Sequence, residues 1–137
     1  MRKSYLIILI ACTISAILFV GCSENSSKAT NTGKSFLTSL FTCEFETCDA
    51  LSTENGRKEV RWFASNLTED DLAAISHEVE INADDCEIND TSASISYTAK
   101  NVIVCDSLEK KGHIGERSLT VILKKVNGTW KVDRLEW

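Results

Sequence analysis

The sequence predicts an α+β domain in which N-terminal helices pack on one face of an antiparallel sheet of about four strands. Three observations carry that expectation. Between Gly33 and Ile75 apolar residues recur at three- and four-residue spacing, the period of helices with one buried stripe. From Val79 onward the apolar period becomes two, that of half-buried strands. Near the end of the chain Asn127-Gly128 separates two apolar runs. A type I′ hairpin turn needs positive φ at both central positions, and these two residue types tolerate it.

The segment ahead of the domain reads as an address. Met1-Arg2-Lys3 is a short positive start, and Tyr5 to Val20 is apolar apart from Thr13 and Ser15. These 16 residues, at about 1.5 Å each, would span about 24 Å, short of the ~30 Å hydrocarbon core. No basic cluster follows; the flank is Ser-Glu-Asn-Ser-Ser. A positive start, an apolar run and a small residue before the cut mark residues 1–21 as a secretory signal rather than a span. Its end, Phe19-Val20-Gly21-Cys22, resembles the lipobox of bacterial lipoproteins, with Phe19 where leucine is usual. The resemblance implies cleavage between Gly21 and Cys22, with acyl chains on the Cys22 thiol and its new amine. Two or three chains at ~0.8 kcal/mol per buried CH₂ would anchor the protein permanently. The alternative is an ordinary signal peptide with an incidental Cys22. Ser23 is not the aspartate of inner-membrane retention, which on the same resemblance favours the outer membrane of a Gram-negative bacterium. The expected residence is therefore the bacterial cell envelope.

Removing residues 1–21 from 137 leaves 116, enough for one hydrophobic core. Two of the 15 basic residues leave with the signal and none of the 20 acidic ones, so the remainder carries a formal charge of −7. An acidic chain of this kind is not expected to bind nucleic acid or anionic headgroups. The lipid, not charge, is the expected membrane contact. Cys12 leaves with the signal and Cys22 is consumed by lipid, so Cys43, Cys48, Cys86 and Cys105 remain. An even number in an exported chain favours disulfides. Three connectivities exist; Cys43 with Cys48 and Cys86 with Cys105 is preferred, and buried free thiols are the alternative. There is no CxxC and the two histidines stand alone, so neither a metal site nor a cofactor is expected.

Residues 22–32 hold Cys22 and a polar run, SENSSKATNT, without apolar periodicity; they are expected to form a flexible tether. The domain is placed at 33–137. Its first helix carries Phe36, Leu37, Leu40 and Phe41 on one stripe, continued by Phe45 and Cys48, with a break near Cys43-Glu44 and a short second helix. Ser52 to Gly56 reads as a loop, followed by an amphipathic stretch through Val60, Phe63, Ala64 and Leu67. Thr68 is a candidate N-cap ahead of Glu69-Asp70-Asp71, with Leu72 and Ile75 as the buried face and His77 as a C-terminal cap. Val79 to Ile88 alternates, with Asp84-Asp85 as a break or bulge, and Asn89-Asp90 is a turn. Ala93, Ile95, Tyr97 and Ala99 form the next strand's buried face, continuing through Val102 to Cys105. Lys110-Lys111-Gly112 is a second turn, Leu119 to Val126 a strand apolar on both faces, and Trp130 to Trp137 the return. His113 is expected to be solvated.

The order of these elements carries a second resemblance. The stretches "GKSFLTSLFTCEFETCDALS", "LTEDDLAAI", "CEINDTSASISYT" and "LTVILKKVNGTWKVDRLEW" are similar to small exported lipoproteins of the nuclear transport factor 2-like superfamily, also called cystatin-like. Gly128 to Val132 matches the Gly-Lys/Thr-Trp-Lys-Val of that group's last hairpin, and Cys43-Glu44-Phe45 stands at its Gly-Asp-aromatic turn. The resemblance implies a curved sheet wrapped around helices as a cone with a pocket at its wide end, and a disulfide locking the turn at Cys43. It does not imply a reaction, because the superfamily holds isomerases and dehydratases beside members with none.

The leading expectation is thus a non-catalytic, lipid-anchored envelope domain that binds a small apolar ligand or an envelope protein, with no catalytic residues. Tyr97, Trp62 and Trp130 are candidate pocket residues, although each is first a candidate core residue. The alternative is a pocket enzyme of the ketosteroid isomerase or dehydratase type using Tyr97 and a buried carboxylate. Asp106-Ser107-Leu108 resembles an O-glycosylation acceptor of exported proteins. The sequence sets no oligomeric state.

Overall fold

The computed structural model describes residues 24–104 and 113–137. The signal segment, Cys22, Cys105, Asp106-Ser107-Leu108 and the turn at Lys110-Lys111-Gly112 lie outside the described residues. The fold is α+β: four helices on the N-terminal side, then a four-stranded antiparallel sheet in the order β1-β2-β3-β4. The helices are α1 (residues 24–41), α2 (Phe45–Ala50), α3 (Glu54–Ser65) and α4 (Glu69–Ala74). The strands are β1 (Glu80–Ile88), β2 (Ser92–Val104), β3 (His113–Val126) and β4 (Thr129–Glu136). Among the described residues no helix is long and apolar enough to cross a membrane.

Among the described residues α1 is already helical at residue 24, nine residues ahead of Gly33, so residues 24–32 are helical rather than a slack tether. Thr32 does not oppose the helix because its hydroxyl bonds back to the Lys28 carbonyl one turn earlier, at 3.0 Å. The buried stripe runs Ala29, Gly33, Phe36, Leu37, Leu40, and Gly33 lacks a side chain where Tyr97 lies against it. A Cβ on Gly33 would fall on the Tyr97 phenol, whose hydroxyl donates to the Thr30 carbonyl at 2.8 Å. At the same end the Asn25 side-chain oxygen accepts from Trp130 Nε1 and Lys125 Nζ, each at 3.2 Å.

Helix α1 closes with a Schellman turn. The Glu44 amide bonds the Ser39 carbonyl at 2.8 Å and the Cys43 amide bonds Leu40 at 3.2 Å, with Cys43 left-handed at φ 61°. Of the expected loop at 52–56, residues 54–56 are instead the first turn of α3. Thr53 caps it by accepting the Gly56 amide, and Gly56 allows the first turn to lie on the Val132 carbonyl, where a Cβ would collide. Residues 51–53 then bond to the edge of β4 through Val132, both bonds at 2.8 Å.

Thr68 caps α4 as expected, in a capping box with Asp71. Asp71, not Leu72, is the buried residue of that helix; Leu72 is 48% exposed. Six residues are too few turns to bury an apolar stripe and satisfy the cap at once, and the cap wins. His77 is exposed and lies beyond the helix end at Ile75.

The strand alternation holds closely on β2, where Ala93, Ile95, Tyr97 and Ala99 are all buried. β3 is one-sided rather than apolar on both faces: Leu119, Val121 and Leu123 face inward, while Ile122 is half-buried and Val126 exposed. Asn127 and Gly128 both have positive φ, 51° and 78°, in the β3–β4 turn. Each pairing contains one bulge. Asp84 is the extra residue on β1, Asn101 (φ 60°) on β2, and Asp133 on β4.

Cys43, Cys48 and Cys86 carry free thiols, so the expected pairing of Cys43 with Cys48 is not formed, while the expected pairing of Cys86 with Cys105 falls outside the described residues. The geometry gives the reason. Cys48 points into the core, where its thiol donates to the Phe36 carbonyl at 3.6 Å, and Cys86 lies on the exposed edge strand near Ser26.

Candidate functional site

Helix α1 spans the length of the domain. Its first turn meets the β3–β4 hairpin through Asn25, and its last turn brings Phe41 against Phe63 and Trp137 at the opposite end. There the helices and the sheet part, leaving a cavity of about 140 Å³.

Its walls come from three places. Trp62, Phe63, Asn66 and Leu67 belong to the last turn of α3 and the residues just after it, and Trp137 follows β4. Ile103 and Arg117 come from β2 and β3, near the bulge at Asn101. Phe63 and Trp137 stack at 6.0 Å with their planes 6° apart, Trp62 tilts against Trp137 at 6.3 Å, and Phe41 meets both stacked rings edge-on. The Arg117 guanidinium sits over the Trp137 ring at 4.5 Å. The end of α3 is closed by Ser65 and Asn66, whose side chains both donate to the Trp62 carbonyl, at 2.8 and 2.7 Å.

Arg117 reaches this space because of strand register. It lies opposite Ala99 and two residues before Leu119, so it continues the inward row of Leu123, Val121 and Leu119. It is half-buried, and no carboxylate pairs with it among the described residues. The site is thus an aromatic wall with one cation. It has no nucleophile–base pair, and among the described residues no cluster of histidines, cysteines and carboxylates could hold a metal.

Of the three residues expected in a pocket, only Trp62 lines the cavity, and it is 57% exposed rather than core. Trp130 is buried at the other end of the domain against Asn25. Tyr97 is fully buried beneath α1, with its hydroxyl occupied by Thr30 and its pKa pushed up by burial and by the nearby Cys86. The buried carboxylate Asp71 accepts the Thr68 amide in its capping box. The structure therefore does not join Tyr97 and a buried acid across an open space. Arg117 and Trp137 were not singled out from sequence. The available signal was a lone cation on the inward register of an apolar strand.

A scan against protein-family models finds no match, and a search of curated proteins finds none either.

Proposed function

We propose that this chain is a lipid-anchored protein of the bacterial cell envelope whose domain binds a small apolar ligand without transforming it. The cavity carries the ligand reading. Three aromatic rings and one cation that can orient a guest are the ordinary make-up of a small-molecule site. The lack of a general base beside it favours binding over catalysis.

The anchor reading rests on Phe19-Val20-Gly21-Cys22, and the helix gives it a geometrical consequence. With acyl chains on Cys22, the described part of α1 would lie two residues beyond the lipidated position. At 1.5 Å per residue it would carry Phe41, and the cavity beside it, about 25 Å away. The ligand would then be drawn from the aqueous side.

Two measurements test the proposal. Metabolic labelling with a fatty acid should mark the wild type and not Cys22→Ser; label retained on the variant would overturn the anchor. Saturation-transfer NMR with 3-phenylpropanamide, a neutral aryl probe, should report binding that Trp62→Ala weakens. No transfer to the probe would overturn the apolar site.

A further inference from the structure

We propose that the cavity selects an aryl carboxylate, with the ring against the Trp62–Trp137–Phe63 wall and the carboxylate paired with Arg117. This rests on the apolar-ligand reading and adds the charge of the guest.

Arg117 is half-buried on an otherwise apolar row, where a cation with no counter-ion among the described residues is costly to hold. The surrounding chain would easily have supplied an acid, since it is acidic overall, yet none among the described residues pairs with this guanidinium. Stacking on Trp137 uses only the face of the guanidinium. Its N–H donors lie in its plane, and that edge fits the two oxygens of a carboxylate. Among the described residues no other wall group competes for them: Asn66 spends its amide donor on the Trp62 carbonyl, and the remaining walls are apolar.

Volume and charge narrow the class. A cavity of about 150 Å³ accommodates a benzene ring, and this one is about 140 Å³, so a single ring fits where a steroid-sized body would not. Among the described residues Arg117 is the only charged one on the wall, so one monoanion is neutralised and a phosphate dianion would be left with excess charge.

The test compares 3-phenylpropanoate with 3-phenylpropanamide, which share shape and differ in charge, by calorimetric titration of the full chain at pH 7. The acid should bind about tenfold more tightly than the amide. Arg117→Gln should erase that preference, and Arg117→Lys should retain part of it. Equal binding of acid and amide to the wild type overturns the carboxylate inference and leaves the apolar site standing. Binding of neither overturns both. A preference that survives Arg117→Gln overturns the role of Arg117. Because the acid–amide comparison is made on the wild type, a poorly folded Gln variant would not rescue the inference.

Discussion

The Tyr97 phenol rests on the Cα of Gly33, with its hydroxyl held by the carbonyl of Thr30 at 2.8 Å. The pair locks the middle of α1 onto the central strand β2. The ring fills the gap that the missing side chain leaves, and its hydroxyl is spent on the Thr30 carbonyl.

Gly33→Ala should therefore destabilise the fold although alanine is the better helix former. The gain in helix propensity is about 1 kcal/mol, whereas a methyl forced against a fully buried ring costs about 1–3 kcal/mol. Tyr97→Phe should cost about 1 kcal/mol for the lost hydrogen bond. The double variant should be more stable than the sum of the two, because removing the hydroxyl vacates the atom nearest the new methyl. Urea denaturation of the four proteins closes the cycle, and strict additivity would mean that the two residues do not compete for one space.

That contact also marks the limit of what the sequence discloses. The strands were legible because their alternation is written in large apolar residues, Ile95, Tyr97, Val121 and Leu123, and the I′ turn because Asn-Gly leaves few alternatives. The first half of α1 was not. Its buried face is Ala29 and Gly33, small residues that carry no hydrophobic signal, and the polar Thr32 satisfies its hydroxyl within the helix. The cavity was illegible for a different reason. Arg117 and Ile103 meet there only through the β2–β3 register, and Trp137 only through the path of β4.

The thiols should react in an order set by burial. Burial, then the charge of Asp49, with Cys43 and Glu44 adding less, pushes the Cys48 thiol up to about 12, so it has almost no thiolate at pH 8. Burial also raises the Cys43 thiol, and Cys86 is exposed. Iodoacetamide on the folded protein should label Cys86 first and Cys48 only after unfolding, as read by peptide mass spectrometry. Protection of Cys43 and Cys48 as a bonded pair would contradict the free thiols.

Cys43 offers a gain instead of a loss. A non-glycine residue in the left-handed region costs about 1 kcal/mol, and the Schellman turn needs that conformation at this position. Cys43→Gly should raise stability by about 1 kcal/mol in thermal or urea unfolding, whereas Cys43→Ala, which keeps the Cβ, should not.

Asp133 should give the domain part of its acid sensitivity. As the extra residue of the β4 bulge, it accepts the Thr53 hydroxyl at 2.7 Å and pairs with Lys124 at 3.1 Å. Burial alone would raise its pKa; the bonds from Thr53 and Lys124, the Lys124 charge and a bond from Asn55 outweigh it and leave the pKa below 3.8. A depressed carboxylate stabilises the fold above its unfolded pKa, and that contribution is lost as pH falls through the folded value. The melting temperature should thus fall as pH drops below about 4, and Asp133→Asn should flatten that part of the profile. An unchanged slope in the variant would assign the acid sensitivity to other groups.

Deleting residues 24–32 separates a helix from a leash. A tether contributes nothing to the fold, so its loss would leave the unfolding midpoint where it was. The helical reading gives the opposite result. The deletion strips Ala29 from the core, the Thr30 carbonyl from Tyr97, and the Asn25 oxygen from Trp130 and Lys125. It also leaves the buried Tyr97 hydroxyl and Trp130 indole to find water or go unpaired, at about 1–3 kcal/mol each. Together with the exposed apolar surface, the expected loss is about 3–5 kcal/mol, a large share of a small domain's stability. A chain beginning at Gly33 should therefore unfold at markedly lower urea concentration and be cut readily by protease under conditions in which the full chain resists. Equal midpoints would return this segment to a tether, and with it the 25 Å separation of the cavity from Cys22 derived from helix rise.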